Sequence, residues 1–181
     1  MLDGTAIDSI TFSGDGEPTL NPEFARIVDD TLVLRNIYYP SAKVSVLSNA
    51  TNLRKEGVFE ALRRVDNPIM KIDAPTNALA ARINRPYAAY DVEAVVEDLM
   101  RFDGDFVLQT MFLKSEDFDS SSPECLEAWM AIVRKLHPRE IMAYTIDRPT
   151  PMSGLQKFSE SRMRELVKPL EEEGFKIQIK A

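Results

Sequence analysis

The strongest constraint on the fold is an alternation. Short apolar runs of strand length recur along the chain, and helical patterns separate them. Ile7–Phe12 (IDSITF), Lys43–Ser48 (KVSVLS), Pro68–Asp73 (PIMKID), Phe106–Leu113 (FVLQTMFL), Glu140–Thr145 (EIMAYT) and Lys176–Lys180 (KIQIK) read as strands. Several are too continuously apolar for a sheet with one wet face, and fit parallel strands covered on both sides. Between them, Asn21-Pro22 signals a helix start ahead of Phe24, Ile27, Val28 and Leu32. A shorter helix is expected near 53–64. Asp91 opens a stripe of Val92, Val95, Val96 and Leu99, and Ser121 and Glu124 frame Pro123 as a capping box. Ser159 caps the last helix, Pro169 sits inside it, and Gly174 ends it. Strand and helix in strict turn predict an α/β fold of βα units with right-handed crossovers.

Composition narrows the function classes. The chain has 181 residues, 44% hydrophobic and 28% charged, which suits a single domain over 1–181 with a sizeable core. No apolar run reaches the roughly 18–20 residues of a membrane span. The start, Met1-Leu2-Asp3-Gly4, lacks the basic and apolar regions of a signal peptide, so a cytoplasmic location is expected. A net charge of −7 weighs against a broad phosphate-tracking face. Cys125 and His137 are the sole members of their kinds, too few for a Cys/His zinc site. His137, before Pro138 at a helix end, is read as structural. The methionines at 70, 100, 111, 130, 142 and 163 mostly fit apolar faces.

Parallel α/β folds bind ligands at the carboxyl ends of their strands. Here those exits carry Ser13-Gly14-Asp15-Gly16-Glu17, then Ser48-Asn49-Ala50-Thr51, then Lys71 and Asp73. Gln109, Thr110, Met111 and Lys114 follow, and then Tyr144-Thr145-Ile146-Asp147-Arg148. This is more polarity than a bare scaffold needs, and predicts one shared site at that rim. Lys71 points away from its strand neighbours' face, and Asp73, two residues on, is its expected partner.

These segments resemble the radical S-adenosylmethionine (SAM) enzymes. "SGDGEPTL" after a short strand looks like their Gly-Gly-Glu turn, which holds the amino group of SAM. "LSNAT", "KIDAPTNALAARINRP", "LQTMFL" and "YTIDRPTP" are similar to later strand exits in a bacterial Fe–S oxidoreductase branch related to the wyosine-forming tRNA enzymes. The resemblance reaches about Pro151, and leaves the helix and strand of about 152–181 unassigned. It implies a partial (β/α)6 TIM-like barrel of parallel strands. Gly14, Asp15, Gly16 and Glu17 would hold the methionine moiety, Asn49, Lys71 and Asp73 the carboxylate or ribose region, and Gln109 to Met111 the adenine region. It also implies reductive cleavage of SAM on a [4Fe–4S] cluster to give a 5′-deoxyadenosyl radical.

The chain departs from that pattern at one point. The family's Cys-x-x-x-Cys-x-x-Cys loop precedes the Gly-Glu turn, and no cysteine precedes Gly14 here. The first βα unit is therefore read as missing, through truncation, engineering or descent from a cysteine-less relative. The cluster is expected in the full-length protein alone, with no catalytic or metal-ligating residue in this chain. An unpaired edge at the first strand then predicts self-association. Acidity argues against a tRNA partner, while the branch's tRNA-modifying member keeps one in view. Two other readings remain: a non-catalytic binding or assembly module, and a Mg²⁺ enzyme with Asp15, Glu17, Asp73 and Asp147 as ligands and Lys71 as base.

Overall fold

The computed structural model describes residues 6–14, 16–147, 150 and 153–181. Asp15, Arg148, Pro149, Pro151, Met152 and the first five residues lie outside the described residues, so the expectations placed on them have no structural counterpart. Backbone contacts divide the chain into two compact units, Met1–Met70 and Lys71–Ala181.

In the first unit, β1 (Ser9–Phe12), β2 (Lys43–Ser48) and β3 (Asn67–Lys71) run parallel. Helices α1 (Phe24–Tyr38) and α2 (Glu56–Arg64) are the crossovers. Val44 and Val46 are fully buried on β2, as a doubly covered parallel strand requires. α1 begins later than Asn21-Pro22 suggested. A 3-10 turn at Pro18–Leu20 intervenes, and the Asn21 side chain accepts from the Glu23 N–H at 2.9 Å. Asn21 is therefore not the cap of α1: that position falls to Glu23, whose side chain makes no capping hydrogen bond, and Asn21 closes the 3-10 turn instead.

Asp66 ties this unit together at the amino ends of its strands. Its carboxylate accepts from Arg35 of α1 at 2.8 Å, from the Val44 N–H at 2.9 Å and from Lys43 at 3.2 Å. Burial pushes its pKa up, but the Val44 N–H and the Arg35 and Lys43 charges outweigh it and hold the group below its ordinary 3.8.

In the second unit, β4 (Val107–Met111), β6 (Glu140–Tyr144) and β8 (Ile177–Lys180) form a parallel set in that order. The C-terminal segment left unassigned by resemblance thus supplies the third of these strands. β5 (Leu113–Lys114) and β7 (Gln156–Lys157) make a two-residue antiparallel pair. The expected run Phe106–Leu113 is therefore two strands, parted at Phe112, whose N–H turns to the Tyr144 carbonyl at 2.7 Å. Helices α3 (Asn77–Asn84), α4 (Val92–Met100), α5 (Pro123–Leu136) and α6 (Glu160–Glu172) complete the unit.

Asp91 caps α4, with Val92, Val95, Val96 and Leu99 buried beneath it, and Ser159 caps α6. The α5 cap is Ser122 instead of Ser121, because Ser121 is held by Asp119 at 2.7 Å. His137 takes the left-handed position that ends α5, with its ring 5.0 Å from Phe175, which is a structural role. Met70, Met130 and Met163 are buried, Met100 is exposed, and Met111 and Met142 face a cavity. No helix among the described residues is long and apolar enough to cross a membrane.

Two outcomes are expected from this architecture. Asp66→Asn should lower stability by about 2 kcal/mol in urea denaturation at pH 7, because three donors lose a charged acceptor. Since the carboxyl is depressed in the folded state, its contribution is present above the unfolded value of 3.8 and fades as pH falls through the lower folded value. A pH-independent difference between the two proteins down to strong acid would contradict this. Separately, among the described residues β1 pairs with β2 alone, and Val33, Leu34, Ile37 and Tyr38 expose apolar side chains on α1. Light scattering should show association that rises with concentration and weakens in Ile37→Glu; a clean monomer throughout contradicts it.

Candidate functional site

The first unit offers the turn after β1. Glu17 Oε1 accepts from the Thr19 N–H at 3.1 Å, the Thr19 hydroxyl at 2.6 Å and the Ser48 hydroxyl at 2.8 Å. Its Oε2 accepts from the Asn49 N–H at 2.7 Å. Glu17 thus caps the 3-10 turn and fastens the exit of β1 to that of β2. A carboxylate has roughly four acceptor positions, and Oε2 uses only one of its two here. That leaves one direction on Oε2 for a ligand cation.

The surroundings suit such a ligand. A side chain at Gly14 or Gly16 would meet no atom within 4 Å, so open space lies beside the turn. Neither glycine is forced by a left-handed backbone; both simply keep that space clear. Asn49 is committed on one side, its Oδ1 accepting from the Thr51 N–H at 3.0 Å and hydroxyl at 2.7 Å. Its amide nitrogen remains as a donor. The left-handed residue of this exit is the buried Ala50, with φ 62°, and not Asn49.

The second unit carries a different arrangement around Lys71 and Asp73. The Asp73 side chain is fully buried, with Oδ1 accepting from the Met111 N–H at 3.0 Å. Its Oδ2 lies 2.7 Å from Lys71 Nζ, so the pairing expected from their spacing is present. Among the described residues the Lys71 ammonium is the group that faces Oδ2, with no other donor to it. Burial lowers the Lys71 pKa, but the Asp73 carboxylate and the Tyr144 hydroxyl outweigh it and raise it, so Lys71 stays charged. Tyr90 donates weakly to the Lys71 carbonyl at 3.5 Å. Burial and the Asp73 charge push its hydroxyl pKa up, which keeps it neutral.

Beneath these groups Thr110 donates to the Ile72 carbonyl at 2.8 Å and accepts from Trp129 at 3.1 Å. Thr110 therefore packs inward, while Gln109 and Met111 on the other face of β4 line a cavity of about 700 Å³. Lys71, Met142, Tyr144, Asp147, Gln178 and Lys180 share that cavity. The sequence reading reached Lys71, Gln109, Met111 and Tyr144 but missed Tyr90, Gln178 and Lys180. The period-2 alternation of Gln178 and Lys180 with Ile177 and Ile179 was the available signal. Among the described residues no group of three His, Cys, Asp or Glu is placed to hold a metal ion, so metal binding and the Mg²⁺ reading find no ligand set there.

Comparison with known proteins matches this fold. The chain is 30% identical over 161 residues to a UPF0026 protein of Synechocystis sp., covering 86% of this chain and 56% of that one. A UPF0026 protein of Helicobacter pylori is 24% identical over 163 residues, 88% of this chain and 50% of that one. The chain thus spans about half the length of these curated relatives. No family model matches. Among solved structures, a domain of pyruvate-formate lyase-activating enzyme from Bacteroides vulgatus superposes with TM-score 0.69 at 18% identity, over 96% of this chain and 99% of that one. Streptococcus suis SuiB bound to S-adenosylmethionine gives 0.70 at 13%, over 96% and 39%. A radical SAM methyltransferase from Sphaerobacter thermophilus gives 0.67 at 16%, over 98% and 52%. The α/β fold expected from the strand-helix alternation is the fold of these enzymes.

The two partners of the buried pair should differ in their cost of removal. Asp73→Asn retains an acceptor for Met111, and frees a lysine that is already 33% exposed and can turn to water. Lys71→Met leaves a carboxylate with no exposure and one backbone donor. Urea denaturation at pH 7 should show about 1 kcal/mol for the former and about 3 kcal/mol for the latter. Because the Lys71 pKa is raised, the pair's contribution is present below the unfolded value of 10.5 and lost as pH climbs through the folded one. Equal costs, or the reverse order, would remove Asp73 as the dominant buried charge.

Proposed function

We propose that this chain is the SAM-binding part of a radical SAM enzyme, of the branch related to the wyosine-forming tRNA enzymes. The observation that carries the reading is the Glu17 turn. A carboxylate fixed by four donors keeps one acceptor direction open, next to two glycines with empty space beside them. A SAM amino group is a cation that can take that direction as a charge-assisted hydrogen bond. Gly14 and Gly16 admit it, and Asn49 offers its amide nitrogen to the carboxylate. The resemblance alone, and no geometry between the two units, gives Lys71 and Asp73 the ribose region and Gln109 and Met111 the adenine. Asp15 belongs to the same motif by sequence. The likeness in fold to a SAM-bound enzyme and to a radical SAM methyltransferase supports the assignment.

The residues present do not fit an iron–sulfur cluster. Three cysteine thiolates hold a cluster of this kind, and the chain has one cysteine. Cys125 lies in the first turn of α5, where burial and the Asp119 charge push its thiol up to about 11, away from the thiolate a metal needs. We therefore assign this chain binding of SAM and not its cleavage. A non-catalytic binding module built on the same fold is the second reading, favoured by that same missing ligand set.

Calorimetric titration of SAM tests the assignment. Glu17→Gln should weaken binding about tenfold, but it also disturbs the turn. Gly16→Val separates the two effects: it fills the open space, is not required to adopt a left-handed backbone, and should lose SAM affinity at unchanged melting temperature. Unaltered affinity in both variants removes the Gly-Glu turn from the site. With a chemical reductant and SAM, this chain by itself should release no 5′-deoxyadenosine on chromatography.

A further inference from the structure

Behind Glu17 stand two hydrogen-bond relays that converge on one of its oxygens. In the first, the Asn52 side-chain amide donates to the Thr19 hydroxyl oxygen at 3.1 Å, and that hydroxyl donates to Glu17 Oε1 at 2.6 Å. In the second, the Ala50 N–H donates to the Ser48 hydroxyl oxygen at 3.0 Å, and that hydroxyl donates to the same Oε1 at 2.8 Å. Thr19 and Ser48 are both buried, so water does not compete for either hydroxyl. A hydroxyl has one proton. A donor behind each oxygen turns that proton toward the carboxylate and strengthens the bond it makes.

The Thr19 N–H adds a third donor at 3.1 Å, so Oε1 has more donors than lone pairs and is closed to a ligand. The oxygen left for a ligand is Oε2, where the Asn49 N–H is the one donor among the described residues. Neither hydroxyl can turn to an acceptor on the ligand without releasing Glu17. The turn therefore accepts at Oε2 and has no hydroxyl proton to offer. Asn52 itself is held in place by its loop, which the buried Ala50 and Leu53 anchor on either side of it.

We propose that Thr19 and Asn52 are positioning residues that make the turn selective for a ligand with a free primary ammonium. Asn52 orients the Thr19 hydroxyl, Thr19 locks Oε1, and the locked carboxylate presents Oε2 to the N–H donors of the ligand. A ligand that lacks the amine gains nothing from that oxygen. The identity of the ligand rests on the SAM assignment; the relay that fixes Glu17 does not.

Thr19→Val keeps the shape of the side chain and the backbone N–H bond but removes the hydroxyl. In calorimetric titration of the whole chain it should weaken SAM about tenfold. It should leave unchanged the affinity for 5′-methylthioadenosine, which keeps the adenosyl thioether and lacks the amine. Thr19→Ser should restore SAM affinity to within about twofold, and Asn52→Ala should weaken it about threefold. Without ligand, the Asn49 N–H should exchange its hydrogen about tenfold faster in Thr19→Val than in the wild type or Thr19→Ser, because Oε2 is no longer held against it. Equal loss of both ligands, unaltered SAM affinity in Thr19→Val, no rescue by serine, or unaltered Asn49 exchange overturns the proposal. Failure of the SAM assignment reads differently. The wild type then binds no SAM, while the faster Asn49 exchange in Thr19→Val still shows Thr19 positioning Glu17.

Discussion

At the carboxyl end of a parallel strand the ladder runs out, and the backbone N–H groups just beyond it need new acceptors. In both units a carboxylate supplies one. Glu17, after β1, accepts from the Asn49 N–H at the exit of β2, and Asp73, after β3, accepts from the Met111 N–H at the end of β4. Each carboxylate belongs to one strand's exit and holds the next. The loops from which a ligand site must be built are thereby fixed by buried or half-buried acceptors rather than by loop packing.

The two carboxylates differ in what is left over. Glu17 is satisfied largely by neutral donors, so its charge is not cancelled and a cation can still be attracted to it. Asp73 is faced by a lysine, and that pair is neutral as a unit. A ligand therefore meets a net negative group at the first exit. At the second it meets a compensated pair, with the lysine as the accessible partner. The first exit thus presents an uncancelled carboxylate, and the second a compensated ion pair.

Much of this was legible in the sequence. Lys71 and Asp73, two residues apart on a strand, had to share a face, and their pairing follows from period alone. The Asp91 and Ser159 caps followed from side-chain chemistry next to an apolar stripe. The misplaced starts have local causes: Glu17 draws Pro18–Leu20 into a turn before α1, and Asp119 claims Ser121 so that Ser122 caps α5. Both are bonds to a residue outside the helix, which a helical template does not contain. Gln178 and Lys180 alternate with Ile177 and Ile179, so their common face is local information, but which strand that face lies beside depends on the β6–β8 register.

The order of strand and helix, the parallel class of the fold and the polar character of each strand exit follow from the sequence by itself. They depend on periodicity and on residue type at local spacing. What only the tertiary structure decided is how each polar group is spent. Glu17 is bound by four donors, Asn49 is half committed, Ala50 carries the strained backbone, and the C-terminal strand brings Lys180 beside Tyr144. Those outcomes depend on registers between strands far apart in the chain, where a shift of one residue would turn every side chain to the opposite face.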